Sequence, residues 1–167
     1  RLFYQFVKFI DWYSPKAFVM ENVKGLLSMK KGSVINTIIE EFTNAGAGYH
    51  VKFQVLCASD YGVPQMRERV IIIGVRKDLD IEPSFPSPIK GSVNVDEAIS
   101  DLPLINSSEG AEVQDYTMEP TNDYQRLMRR DSKKVYNHAA MHHTSRLIER
   151  FKAIQPGQNL LDVWETH

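Results

Sequence analysis

A single cysteine, Cys57, is all that the 167-residue chain contains, which excludes an internal disulfide and suits a reducing compartment, so a cytoplasmic setting is the expectation. No stretch nears the roughly 20 apolar residues of a membrane-spanning helix, so no membrane partner is expected. The opening residues lack the pattern of a secretory signal. They begin on Arg1, already inside a helical pattern, and the chain is expected to be a piece of a longer protein. Internal repeats and long low-complexity tracts are missing as well. Net charge is only −1, yet the value conceals a segregation. Residues 78–123 are acidic, with Lys90 their only base. Farther on, Arg126, Arg129, Arg130, Lys133, Lys134, Arg146, Arg150 and Lys152 outnumber Asp131 and Glu149. Such a tract either tracks phosphates or forms a solvated helix face.

What is present fits an ordinary globular protein: 43% apolar and 25% charged residues, in a chain long enough for one sizeable core. The pattern changes near Asp78. Before it, Leu2, Phe3, Phe6, Val7 and Ile10 recur at helical spacing until Ser14 and Pro15 stop the helix. Residues 17–20 read as a short strand and residues 22–32 as a loop. A second helix shows Val34, Ile35, Ile38, Ile39 and Phe42 on one face, with Ser33 as its N-cap and Gly46 past its end. Val51, Phe53 and Val55 alternate with polar residues as in a half-buried strand. The run 70–73 is apolar on both faces and belongs in the middle of a covered sheet. Helix, strand, helix, strand, strand is half of a doubly wound α/β domain. After Asp78, prolines 83, 86 and 88 mark a linker, followed by helices near 95–99, 124–130 and 145–154.

Two polar clusters stand against these strands. Glu21 is expected just past the first strand, where open α/β sheets place ligands. Gln65, Arg67 and Arg69 alternate before the apolar run, and an extended backbone would point all three the same way. A carboxylate beside such a reader can hold and protonate a planar polar base, since arginine suits forked recognition of a carbonyl or phosphate. A salt-bridged strand entry is the competing reading of the second cluster. His138, His142 and His143 include an i, i+4 pair, but no cysteine or third ligand lies at suitable spacing. They are read as hydrogen-bonding or phosphate-contacting residues, and no metal site is assigned. Cys57 is read as a buried core thiol. Trp12, Trp164 and the Phe3, Phe6, Phe9, Tyr13 stripe are read as packing residues.

Residues 18–26, Phe-Val-Met-Glu-Asn-Val-Lys-Gly-Leu, and 58–69, Ala-Ser-Asp-Tyr-Gly-Val-Pro-Gln-Met-Arg-Glu-Arg, together resemble the cytosine-C5 DNA methyltransferase family. The likeness is strong to about Asp78 and looser through residues 96–102, 137–138 and 156–159. It implies part of a doubly wound, Rossmann-like, S-adenosylmethionine-dependent catalytic domain over 1–78. The remainder, 79–167, would be a linker and the start of a mixed target-recognition region. Glu21 would hydrogen-bond the N3 edge and amine of a flipped cytosine and assist protonation at N3. Asn22 would hold the nucleophile loop, Arg69 would contact the cytosine O2, Arg67 would position the loop and a nearby phosphate, and Gln65 would brace that loop. Leu2, with Phe3, resembles the end of the segment beside the methyl donor.

The family's glycine-containing cofactor loop and its Pro-Cys nucleophile are not among these residues, nor are its closing motifs. Cys57, in a strand and without a preceding proline, is no substitute. This chain alone is therefore expected to be inactive. Its implied partners are duplex DNA and the missing N- and C-terminal segments or a complementary subunit; a bacterial setting would add a cognate restriction enzyme. Two alternatives stand beside this reading: a tRNA cytosine-C5 methyltransferase of the same fold, and a non-catalytic subunit of a split enzyme.

Overall fold

Helix α1 (Leu2–Tyr13) forms because Phe3, Val7 and Ile10 recur on one face, and all three are buried. The computed structural model describes residues 2–89 and 91–164. The chain makes two compact units, Arg1–Val95 and Asp96–His167. The proline-marked segment after Asp78 lies within the first unit and is strapped to it. Glu82 takes an ion pair from Lys52 at 2.9 Å, Tyr61 Oη donates to Pro86 O at 3.2 Å, and Ile89 N donates to Asp60 O at 2.9 Å.

In the first unit, α1 leads into β1 (Ala17–Val23), α2 (Ser33–Asn44), β2 (Tyr49–Cys57) and β3 (Glu68–Arg76). The strand order is β1-β3-β2. Both outer strands run antiparallel to β3, so β1 and β2 are parallel to each other and joined by the α2 crossover. The apolar run 70–73 is central, as its composition requires. Phe18, Val70 and Ile72 share one face and pack with Phe3, Val7, Ile10, Val34, Ile35, Ile38 and Phe42. On the opposite face Ile71 and Ile73 are half-buried and Val19 is exposed, so helices cover one side of this sheet among the described residues. Fully buried Tyr49 donates its hydroxyl to Pro15 O at 2.8 Å, and burial raises its pKa.

Several local expectations shift. β1 continues through Val23, so Glu21 and Asn22 lie within the strand. The segment 22–32 is not open loop but holds two 3-10 turns, Lys24–Leu27 and Met29–Gly32. Gly32, with φ +86°, caps α2 in place of Ser33. Phe9 and Tyr13 are exposed and stack on each other, and Trp12 is 72% exposed, so the aromatic stripe is core only at Phe3 and Phe6.

The second unit holds all but the first residue of α3 (Val95–Ile99), then β4 (Gly110–Asp115), α4 (Asp123–Arg129), β5 (Lys134–Ala139) and α5 (Ser145–Ala153). β4 and β5 form an antiparallel ribbon. Asn122 and Thr144 cap α4 and α5 by accepting from Gln125 N and Leu147 N. Buried Gln125 uses its whole amide: it accepts from Thr121 and donates to Glu97 O and Ser100 Oγ. Asp101 and Arg129, both largely buried, pair at 3.2 Å, and the guanidinium also lies over the Tyr116 ring. Most of the basic tract is locally neutralised: Arg126 by Asp123, Arg130 by Asp131, Lys134 by Asp115 and Lys152 by Glu149. Arg150 is buried under Trp164, which therefore does pack. His138 lies in β5, not on a helix, so the i, i+4 argument does not apply. His138 Nε2 bonds Pro103 O and His142 Nδ1 bonds Ser108 Oγ, in line with a hydrogen-bonding role.

Candidate active site

The carboxyl end of β1 and the amino end of β3 meet because the two strands are antiparallel. Val23 stands opposite Arg69 and Glu21 opposite Ile71. Glu21 and Arg69 therefore share a face, diagonally displaced by two residues, within reach of long side chains. Arg69 Nε approaches Glu21 Oε1 to 2.6 Å, while Arg69 Nη1 donates to Glu68 O at 2.8 Å. Oε1 is thus held and Oε2 is left for another partner. Arg69 is mostly shielded and Glu21 is about half-exposed, which suits a pair that a ligand can reach.

Asn22 sits on the helix-covered face, opposite Val70, and its Oδ1 accepts from Val23 N at 2.9 Å. Just beyond, Lys24 Nζ reaches both oxygens of Glu68 at 2.8 Å. That strut ties the 3-10 turn after β1 to the start of β3; sequence reading missed it because the partners lie 44 residues apart. Glu21 and Asn22 border a cleft of about 530 Å³, whose other walls include Phe3, Phe6, Phe9 and Met29. Leu2 begins α1, but its side chain lies outside the described residues.

The Gln-x-Arg-x-Arg segment does not hold one extended face. Gln65 N donates to Val63 O at 2.7 Å, a tight turn that bends the chain at 64–65. Only Arg69 belongs to β3. Arg67 is exposed before the strand, and Gln65 borders a separate hollow with Ser59, Met66 and Asn94. The structure pairs Glu21 with Arg69, turns the neighbouring Asn22 to the opposite face of β1, and leaves Gln65 apart from the cleft that Glu21 and Asn22 border.

Cys57 ends β2 opposite Glu68, on the helix-covered face, whereas Glu21 points from the other face. Two inter-strand spacings, about 10 Å, also separate their strands. The thiol is half-exposed, not buried as expected, and lies 3.2 Å from Ser59 Oγ. Among the described residues no group of three His, Cys, Asp or Glu is placed to hold a metal. No described helix is long and apolar enough to cross a membrane.

Comparison with known proteins gives the following. The family model for C-5 cytosine-specific DNA methylase matches residues 1–164. Type II methyltransferase M.DdeI of Desulfomicrobium norvegicum is 49% identical over 174 residues, covering 99% of this chain and 41% of that protein. Type II methyltransferase M.BsuRI of Bacillus subtilis is 52% identical over 90 residues, 54% of this chain and 20% of its own length. Among solved structures, one described as a DNA modification methyltransferase encoded within a prophage, from E. coli, superposes with a TM-score of 0.70 at 21% identity. It covers 92% of this chain and 50% of that one. That likeness supports the α/β fold class. The chain spans less than half the length of these curated relatives.

Proposed function

Because the chain belongs to the C-5 cytosine-specific DNA methylase family, we propose that it forms the base-receiving part of a DNA cytosine-C5 methyltransferase. The observation that carries this reading is the Glu21–Arg69 pair, 2.6 Å apart, at the carboxyl end of β1. Cytosine C5 is a poor nucleophile until a thiolate adds at C6, and a proton delivered to N3 draws electrons from C6 and favours that addition. In this reading Glu21, released by Arg69, hydrogen-bonds N3 and the exocyclic amine together, one oxygen for each. Arg69 then turns from the carboxylate toward O2, which fixes the base in its plane. Asn22 holds the turn after β1 through Val23 N. Arg67, exposed ahead of β3, positions the active-site loop and a nearby phosphate in this reading, and Gln65 braces the same loop. The opposite face and distance of Cys57 leave the nucleophilic thiol to a residue outside positions 1–167.

The family implies S-adenosylmethionine, which supplies an electrophilic methyl group. The aromatic cleft beside Glu21 fits the flat apolar part of such a molecule, with Phe3 and Phe9 as the residues that would hold it. We assign 1–78 to the catalytic domain and 79–167 to a linker and the beginning of target recognition on duplex DNA. The type II designation of the relatives supports pairing with a restriction enzyme.

The test is transfer of labelled methyl groups to duplex DNA and, separately, to tRNA by the full-length protein carrying these residues. Glu21→Gln should lower transfer to DNA by about 10²-fold or more while DNA affinity changes little. Equal losses in both would remove the proton-donating role. Transfer to tRNA alone would establish an RNA substrate, and binding without transfer by the unaltered protein would leave a non-catalytic subunit.

A further inference from the structure

Basic side chains that follow β1 and open β3 are not all paired. Lys24, Lys30 and Lys31 follow β1 in the chain, and Arg67 and Arg69 flank Glu68 at the start of β3, the strand paired with β1. Arg69 is taken by Glu21 and Lys24 by Glu68. Lys30, Lys31 and Arg67 remain exposed, with no ion pair to any described residue. The two lysines are also unusual in their backbone. Lys30 has φ 47° and ψ 45°, Lys31 φ 57° and ψ 36°, and Gly32 follows at φ +86°. Lysine enters this left-handed region at a cost, and two in succession persist only where the surroundings enforce them. Here the enforcement is visible: Ser28 N and Oγ both donate to Gly25 O, and Lys31 N donates to Ser28 O. Met29, the residue before the pair, lines the same cleft as Glu21 and Asn22.

We propose that Lys30 and Lys31 form a phosphate clamp on the rim of the cleft that Glu21 and Asn22 border, gripping the nucleic-acid backbone beside the base that Glu21 takes. This rests on the methyltransferase reading for its ligand but not for its measurement. A fixed turn holds both lysines directly after the cleft-lining Met29, and neither has an ion-pair partner among the described residues. Each can thus exchange a condensed counterion for direct contact with a phosphate. A solvated loop of the same composition would need neither the left-handed turn nor the place beside the cleft.

The experiment is fluorescence anisotropy of the 167-residue chain with a labelled duplex made only of A·T pairs, across a series of potassium chloride concentrations. Such a duplex holds no cytosine, so the result is independent of methyl transfer. Lys30→Gln with Lys31→Gln should make the slope of log affinity against log salt shallower by about 1.8, two phosphates at about 0.9 each. Lys30→Gly with Lys31→Gly removes the same charges where positive φ suits glycine. It should keep the fold and show the same loss of slope. Lys16→Gln with Lys77→Gln, at the far end of β1 and β3, should leave the slope unchanged. The clamp is overturned by an unaltered slope in both rim variants, by an equal loss in the far-end control, or by no duplex binding at low salt. Loss of slope in a full-length protein that transfers no methyl would sink the catalytic reading alone.

Discussion

Gly74→Ala tests how the core of the first unit sets its register. Gly74 lies in β3 between Phe18 of β1 and Val51 of β2. A Cβ there would fall well inside contact with Phe18 Cε1 and Cζ. The ring cannot swing aside. Phe42 lies 4.8 Å from it, Tyr49 5.2 Å and Phe6 5.8 Å, centroid to centroid. Overpacking of this kind costs about 1–3 kcal/mol, and three enclosing rings argue for the upper end. The smaller entropy of the unfolded alanine chain offsets roughly 0.4–1 kcal/mol, leaving a net loss of about 2 kcal/mol. For a unit of this size that lowers the melting temperature by roughly 8–16 °C. Urea unfolding of Gly74→Ala, Phe18→Leu and the double variant measures it. The double variant should regain about 1 kcal/mol or more over the sum of the singles, because the smaller side chain vacates the overlap. A Gly74→Ala protein within about 0.5 kcal/mol of the parent, or strictly additive effects, would refute the argument.

Acid should loosen the strap before it unfolds the core. A hydrogen bond from Arg76 holds Asp78 below the usual carboxylate range, and one from Lys52 does the same for Glu82. Depressed folded values mean stabilisation that is complete above the unfolded pKa, about 4, and lost as pH falls through the lower folded values. Urea midpoints should therefore be insensitive to these groups from about pH 5 to 8 and drop below about 4; a fall confined to pH 5–7 would contradict the assignment. In the second unit, Asp101→Ala should cost about 3 kcal/mol. It leaves Arg129, only 17% exposed in its side chain, without its carboxylate, although Met118 O and Tyr116 remain as partners. A loss under about 1 kcal/mol in urea unfolding would show that the pair is effectively solvated.

Periodicity made the first unit legible. Phe3, Val7 and Ile10 announce α1, and a run apolar on both faces can only be the central strand. The ends of β1 were less readable, because Glu21 and Asn22 are polar yet continue the ladder opposite Ile71 and Val70. Strand pairing supplied by another segment overrides local composition there. The alternation of Gln65, Arg67 and Arg69 misled for a different reason: one bond from Gln65 N to Val63 O bends the chain, and spacing carries no trace of it. The ribbon of β4 and β5 escaped notice because Gly110–Asp115 is almost wholly exposed and offers no buried face to read. Charge counting overstated the free basic tract, since its partners come from as far as Asp101 and Asp115.

Alternation along β1 also explains how seven residues serve both stability and chemistry. Phe18, Met20 and Asn22 face the helices, while Val19, Glu21 and Val23 face the other way. A slip of one residue would exchange the two sets, burying Glu21 and exposing Phe18. What prevents it is steric: only Gly74 on β3 admits the Phe18 ring, since Ile73 or Val75 would meet it after a slip in either direction. Phe18 is three residues from Glu21, and Gly74 five from Arg69. The packing that fixes one end of the β1–β3 ladder therefore fixes the diagonal that brings Glu21 and Arg69 to 2.6 Å. The cleft chemistry is set by a core contact that touches neither residue.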